Sequence, residues 1–234
     1  MAARRRWGQH VFYLAMGVAL LATVFIGFAP SFYLRGPGPP LPRLLVVHGV
    51  VFSSWLILFI AQTALVAAGR TDVHRRLGVA GAALALAMLG LGTLTALRSV
   101  AGASGSGLAS QLEFLAVPLF DMLLFAVLVG AALVRRRDPQ THKRLMLIAT
   151  IGLLSPATGR MDWPAALRGT VSDFVVPDLF LVPLLVWDLC TRGRPHPATV
   201  AGALALIGSQ FLRTQLAHTD AWLRFAAWAA GLVA

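Results

Sequence analysis

Between residues 44 and 68 the chain runs almost without a polar side chain, about 25 residues in all. A helix of that length crosses the roughly 30 Å hydrocarbon core of a bilayer. Three residues interrupt the run: His48, Trp55 and Gln62, seven apart each time. Two helical turns take close to seven residues, so the three share one stripe, which is expected to face protein rather than lipid. Directly after the run, His74-Arg75-Arg76-Leu77-Gly78 opens the next apolar segment.

The rest of the chain follows the same plan. Of its 234 residues 58% are hydrophobic and only 12% charged, about half the charge of a typical soluble domain. Apolar runs recur at about 11–29, 44–68, 77–97, 114–134, 145–159, 174–190 and 198–217. Together they predict an all-α, polytopic membrane bundle of about seven transmembrane helices, a single membrane domain over 1–234. The fifth run is short, and the seventh carries Gln210 and Arg213. Residues 220–234 suit an interfacial amphipathic helix with Trp222 and Trp228 as anchors. The basic N-terminus leads into a run with no small-x-small cleavage site, so the first helix is read as retained.

A formal charge of +11 would suggest nucleic acid if the basic residues formed one face. Instead they lie between apolar runs, where they orient the chain, and no nucleic-acid partner is expected. With the N-terminus inside, 13 of the 20 Lys and Arg fall on the inner side, among them Arg4–Arg6, Arg75, Arg76, Arg135–Arg137, Arg144 and Arg192. The positive-inside rule therefore puts the N-terminus in the cytoplasm. A single cysteine, Cys190, excludes a disulfide framework and any cysteine-rich metal site. Walker loops, dinucleotide fingerprints, the zincin pattern and a nucleophile elbow are all absent from the sequence.

The loops fit. Pro30 and the Gly-Pro run at 36–42 make a stiff outer connection, and 101–110 is a Gly/Ser-rich outer loop. The third span spaces small residues four apart (Gly78 and Ala82, Gly81 and Ala85, Ala83 and Ala87), which permits close helix approach or reflects alanine-rich composition. A faint repeat joins Val73-His74-Arg75-Arg76-Leu77, Thr141-His142-Lys143-Arg144-Leu145 and, loosely, Pro195-His196-Pro197. It suggests hairpins turned on the inner side around a His.

Ionisable groups inside a span cost about 2.5–3.5 kcal/mol each on insertion scales, so each calls for a partner or a task. His48, Asp121, Arg160 and Asp178 fall at similar depth in the outer third. With Trp55 and Gln62 they could line a substrate pocket, and His48, Asp121 and Asp178 could hold a divalent metal. The structural alternative has Arg160 neutralising an aspartate, His48 bonding a carbonyl, and Trp55 and Gln62 packing between helices. Asp188, near Arg192, reads as an interface ion pair. On the inner side His74, His142 and His196 could converge on a metal, or His74 and His142 could ligate a haem iron. His48 and His218 would be the outer haem pair. The alternative partner for those basic helix starts is the anionic headgroup of a lipid.

His48-Gly49-x5-Trp55-x6-Gln62, His74–Gly78 and His142-Lys143-Arg144-Leu145-Met146 give residues of about 11–200 a resemblance to a family of bacterial multi-span inner-membrane proteins of uncharacterised activity. The resemblance implies a bacterial cytoplasmic-membrane location and the same topology, and no reaction. More weakly, the His48-Gly49 and His-Arg-Arg-Leu-Gly elements are similar to di-haem b-type membrane cytochromes, which implies haem b on paired helix histidines. Three functions are expected to compete. They are a redox protein with His74, His142 and His48 as ligands, a small transporter or ligand sensor using the outer pocket, and a metal-dependent enzyme on a lipophilic substrate.

Overall fold

The computed structural model describes residues 2–101 and 107–233 and, among them, is helical with no strand. Residues 102–106 of the expected outer loop and the side chains of Arg4–Arg6 lie outside the described residues. The helices are α1 (Ala2–Phe28), α2 (Arg43–Ala67), α3 (Thr71–Ala101), α4 (Leu108–Phe114), α5 (Ala116–Val134), α6 (Pro139–Ile151), α7 (Ser155–Thr158), α8 (Val176–Asp178), α9 (Leu181–Arg192), α10 (Pro197–Ala217) and α11 (Asp220–Gly231).

Five helical stretches are long and apolar enough to cross a membrane: Gly8–Tyr33, Arg43–Ala67, Thr71–Ala101, Leu108–Val134 and Val171–Arg192. They correspond to the first four predicted spans and the sixth. Their large apolar side chains point outward to an extent that water would penalise: Val79 is 73% exposed, Leu86 70% and Val127 56%. A surface of this kind belongs in lipid, and helices satisfy their own backbone there. A helical fold with five such stretches is compatible with an integral membrane protein.

The predicted fifth and seventh spans differ. Instead of running through 145–159, α6 stops at Ile151 after 13 residues, about 20 Å of helix. The cause is Pro156, which has no N–H to give the carbonyl of Gly152 and crowds it; the chain restarts as the four-residue α7. α10 has the length, 21 residues, but Thr199, Ser209, Gln210 and Arg213 interrupt its apolar run.

The chain divides into two compact units, Met1–Met88 with Leu154–Leu179, and Leu89–Leu153 with Phe180–Ala234. In the first unit α1 packs along α2 and, at its far end, on α7. Glycines make these approaches possible: a Cβ on Gly27 would lie 2.2 Å from the Ala157 carbonyl oxygen, and one on Gly49 would lie 2.5 Å from the Phe32 ring. The glycine of the His48-Gly49 element thus has a packing task. Trp55 is 3% exposed, as the shared stripe predicts. Gln62 reaches the helix surface at Gly78, its Nε2 3.6 Å from where a Cβ would stand. Of the small-residue faces on α3, Gly81 and Ala85 are buried while Ala83 and Ala87 are exposed.

In the second unit α5, α6 and α10 pack on one another. Phe125, Leu128, Leu147, Ile148, Ile151 and Leu206 are each at most 4% exposed in this packing. α5 turns into α6, and α9 into α10, at one end of the unit, hereafter the turn end. Asp138 caps α6, accepting from the backbone N–H groups of Gln140 (3.0 Å) and Thr141 (3.3 Å), with Pro139 in the first turn. Gly193, at φ 72°, closes α9 in the left-handed conformation that glycine tolerates. At the opposite end Trp222 of α11 packs with Leu112, Leu115, Ala217 and Ala226 and donates its indole N–H to the Leu112 carbonyl at 2.9 Å. Trp222 is therefore a core residue and not the interface anchor predicted from the sequence; Trp228 is 62% exposed.

Candidate functional site

Two buried ion pairs organise the polar chemistry of the second unit, one at each end. At the turn end Arg144 of α6 donates through Nε to Asp188 Oδ1 of α9 at 3.0 Å, and its Nη2 makes a second, shorter bond to the same oxygen. Its Nη1 donates to the carbonyl and side-chain oxygens of Gln140, at 2.9 and 2.8 Å. Asp188 Oδ2 accepts from the His196 backbone N–H at 2.9 Å and the Thr199 hydroxyl at 2.5 Å. Arg144 is 1% exposed and Asp188 0%. The cluster is closed on itself and ties α6, α9 and α10 together. The sequence reads Asp188, near Arg192, as an interface ion pair; it is in an ion pair, but a buried one whose partner is Arg144.

The histidines of this end have local tasks. His142 Nδ1 bonds the Ala132 carbonyl of α5 at 2.8 Å. His196 caps α10, its Nδ1 accepting from the Ala198 N–H at 3.0 Å. Burial, with Arg144 and Arg192 adding repulsion, holds His196 below the usual histidine range. Burial first, and then repulsion from Arg144, pushes Lys143 down to about 7. The faint sequence repeat breaks at its arginine, since Arg76 is exposed and Arg144 buried.

At the opposite end Arg213 of α10 donates from Nη1 to Asp121 Oδ1 of α5 at 2.5 Å and to the Val117 carbonyl at 3.0 Å. The two side chains are 1% and 4% exposed. Arg213, with its carbonyl partner Val117, also lines a groove of about 260 Å³ whose other walls are Ser110, Glu113, Phe114, Ala116, Thr214, Ala217 and His218; Asp121 is not part of that lining. His218 Nδ1 lies 3.4 Å from Glu113 Oε2 at its solvent side. This arrangement combines a fixed buried charge pair, an apolar wall and polar groups at the mouth, the elements from which small-molecule sites are built.

The other predicted site residues belong to the first unit. His48 stacks on Phe52 with ring centroids 4.1 Å apart. His74 lies in the first turns of α3, and Asp178 ends α8. Arg160 sits 4.8 Å over the Phe28 ring and donates to the Pro156 carbonyl at 2.6 Å. Burial lowers its pKa, and Asp173 opposes the shift. Asp121, in the second unit, has Arg213 as its partner and not Arg160. Among the described residues no group of three or more His, Cys, Asp or Glu is placed to hold a metal ion. Sequence reasoning passes over Arg144 and Arg213 as partners, counting the first as a loop charge and the second as a flaw in a span. A signal is present: with only nine Asp and Glu in the chain, each carboxylate inside an apolar run needs a cation within reach.

No family model matches the chain, and neither does any curated protein or solved structure.

Proposed function

We propose that this is a multi-pass protein of the bacterial cytoplasmic membrane, N-terminus inside, which binds a small molecule in the groove lined by Arg213 as a transporter or ligand sensor. The full topology has seven crossings, with the short α6 and the polar α10 completing the five long ones. The observation that carries the binding role is Arg213, buried and paired with Asp121, in the wall of an open groove. Two charges held inside apolar helices are costly, and a groove bordered by Arg213 supplies a task.

The test works without an identified ligand. In a Cys190→Ser background, Thr214→Cys should react with a membrane-impermeant thiol reagent applied to the outer face of intact cells. Thr219→Cys, at the exposed start of α11, serves as the positive control. Labelling of Thr219→Cys alone would show the groove closed to water and end this reading.

A second reading, a b-type haem or other redox protein, is favoured by the His142 hydrogen bond to Ala132. A backbone carbonyl on Nδ1 fixes the ring's orientation, the kind of outer-shell support a metal-bound histidine has. The ligands expected from the sequence are His74, His142, His48 and His218, and haem would supply one-electron chemistry. Dithionite-reduced minus oxidised spectra of protein made with ample haem decide it. Sharp α and β bands that vanish in His74→Ser support the reading, and a featureless spectrum ends it. Elemental analysis of the same sample tests the third class, a metal-dependent enzyme.

A further inference from the structure

The turn end of the second unit carries more positive charge than its fold consumes. Arg144 is spent on Asp188, but Arg135, Arg136 and Arg137 after α5, and Arg192 and Arg194 after α9, are exposed. None of these five makes an ion pair among the described residues. The one exposed carboxylate in these turns, Asp138, is committed to capping α6 and to the Thr141 hydroxyl at 2.6 Å. The two turns are close enough for Arg192 to repel Lys143 and for Asp138 to act on His196. Beside the arginines the helix walls are apolar and bare: Val134 is 76% exposed, Val186 49% and Leu189 46%.

We propose that this end of the unit seats an anionic phospholipid, with its phosphate on the arginines of the two turns and its acyl chains along Val134, Val186 and Leu189. The apolar wall under the basic collar selects a lipid over a free anion, because a free phosphate gains nothing from it. Arginine suits the role, since its planar fork matches phosphate oxygens in pairs. The sequence alone points to lipid phosphates at the helix starts beside His142 and His196. Those starts are occupied by their own caps, and the seat moves to the turns. The inference rests on the membrane reading and is independent of the groove.

The experiment uses the full chain purified in an uncharged detergent, with native mass spectrometry counting bound dioleoylphosphatidylglycerol against dioleoylphosphatidylcholine. The anionic lipid should be retained about tenfold more, and Arg192→Gln/Arg194→Gln should lose on the order of tenfold in its affinity, given the contribution of each arginine near an anionic surface. Arg224→Gln, an exposed arginine of α11 at the other end, should change nothing. Equal retention of the two lipids, or a double variant that binds like wild type, overturns the proposal. Inorganic phosphate that displaces the lipid at comparable concentration overturns it in favour of a free-anion seat. Should the double variant misfold, the wild type still decides: the preference must fall as salt rises from about 50 to about 500 mM, and an unmoved preference counts against the arginines. Recovery of the chain in a detergent-free soluble fraction would instead remove the membrane reading beneath it.

Discussion

Arg144 shows how one side chain can be present in a sequence and still be illegible. It follows Lys143 and precedes an apolar run, where it reads as an ordinary inner-loop cation. Its partner is 44 residues away, and no local pattern announces a contact at that separation. Removing one member of such a pair leaves an uncompensated buried charge. Arg144→Met is therefore expected to cost about 3–5 kcal/mol, while Arg144→Met/Asp188→Leu costs clearly less. Thermal unfolding of the two variants in detergent checks the order, and a double variant no better than the single would show that the pair holds its helices by more than charge. Glycines carry the opposite lesson. Gly27 looks like its neighbours in sequence, yet a Cβ there meets a backbone oxygen that cannot step aside. Gly27→Ala should cost about 1–3 kcal/mol, while Gly36→Ala, with open space around it, should leave the melting temperature unmoved.

Long apolar runs declare themselves because each needs only its own composition, and the first four spans and the sixth are legible for that reason. The break after Ile151 is written in Pro156, but the surrounding Leu and Ala residues conceal it. Trp222 reads as an anchor in sequence because its α4 neighbours are more than a hundred residues earlier in the chain. At this scale the burial of Lys143 near the start of α6, with Arg144 beside it, makes a measurable prediction. Folding lowers the Lys143 pKa to about 7 from about 10.4 in an unfolded chain. Between these values the unfolded chain holds more protons, so stability rises with pH across that window and the gain is absent below about 7. Unfolding of the purified protein should therefore occur at higher temperature at pH 9 than at pH 7, and Lys143→Met should flatten the difference. A slope of the same size in the variant would assign it elsewhere.

For the whole molecule the direction of insertion decides which solution each end meets, and the lone thiol reports on it. Cys190 is exposed in the last turns of α9, close to the arginine-rich turn. With the N-terminus inside, a membrane-impermeant maleimide should label Cys190 in inverted vesicles and not in intact cells; the reverse result would invert the topology. The pairing of Asp121 with Arg213 also has a consequence in time. The two are 92 residues apart, so at about 5–20 residues per second a ribosome delivers the arginine roughly 5–20 s after the carboxylate. Throughout that interval α5 holds an acid with no base to meet it. A chain cut short before Arg213 is therefore expected to turn over faster than one that extends past it, and equal half-lives in a pulse-chase would show that the unmatched acid is tolerated.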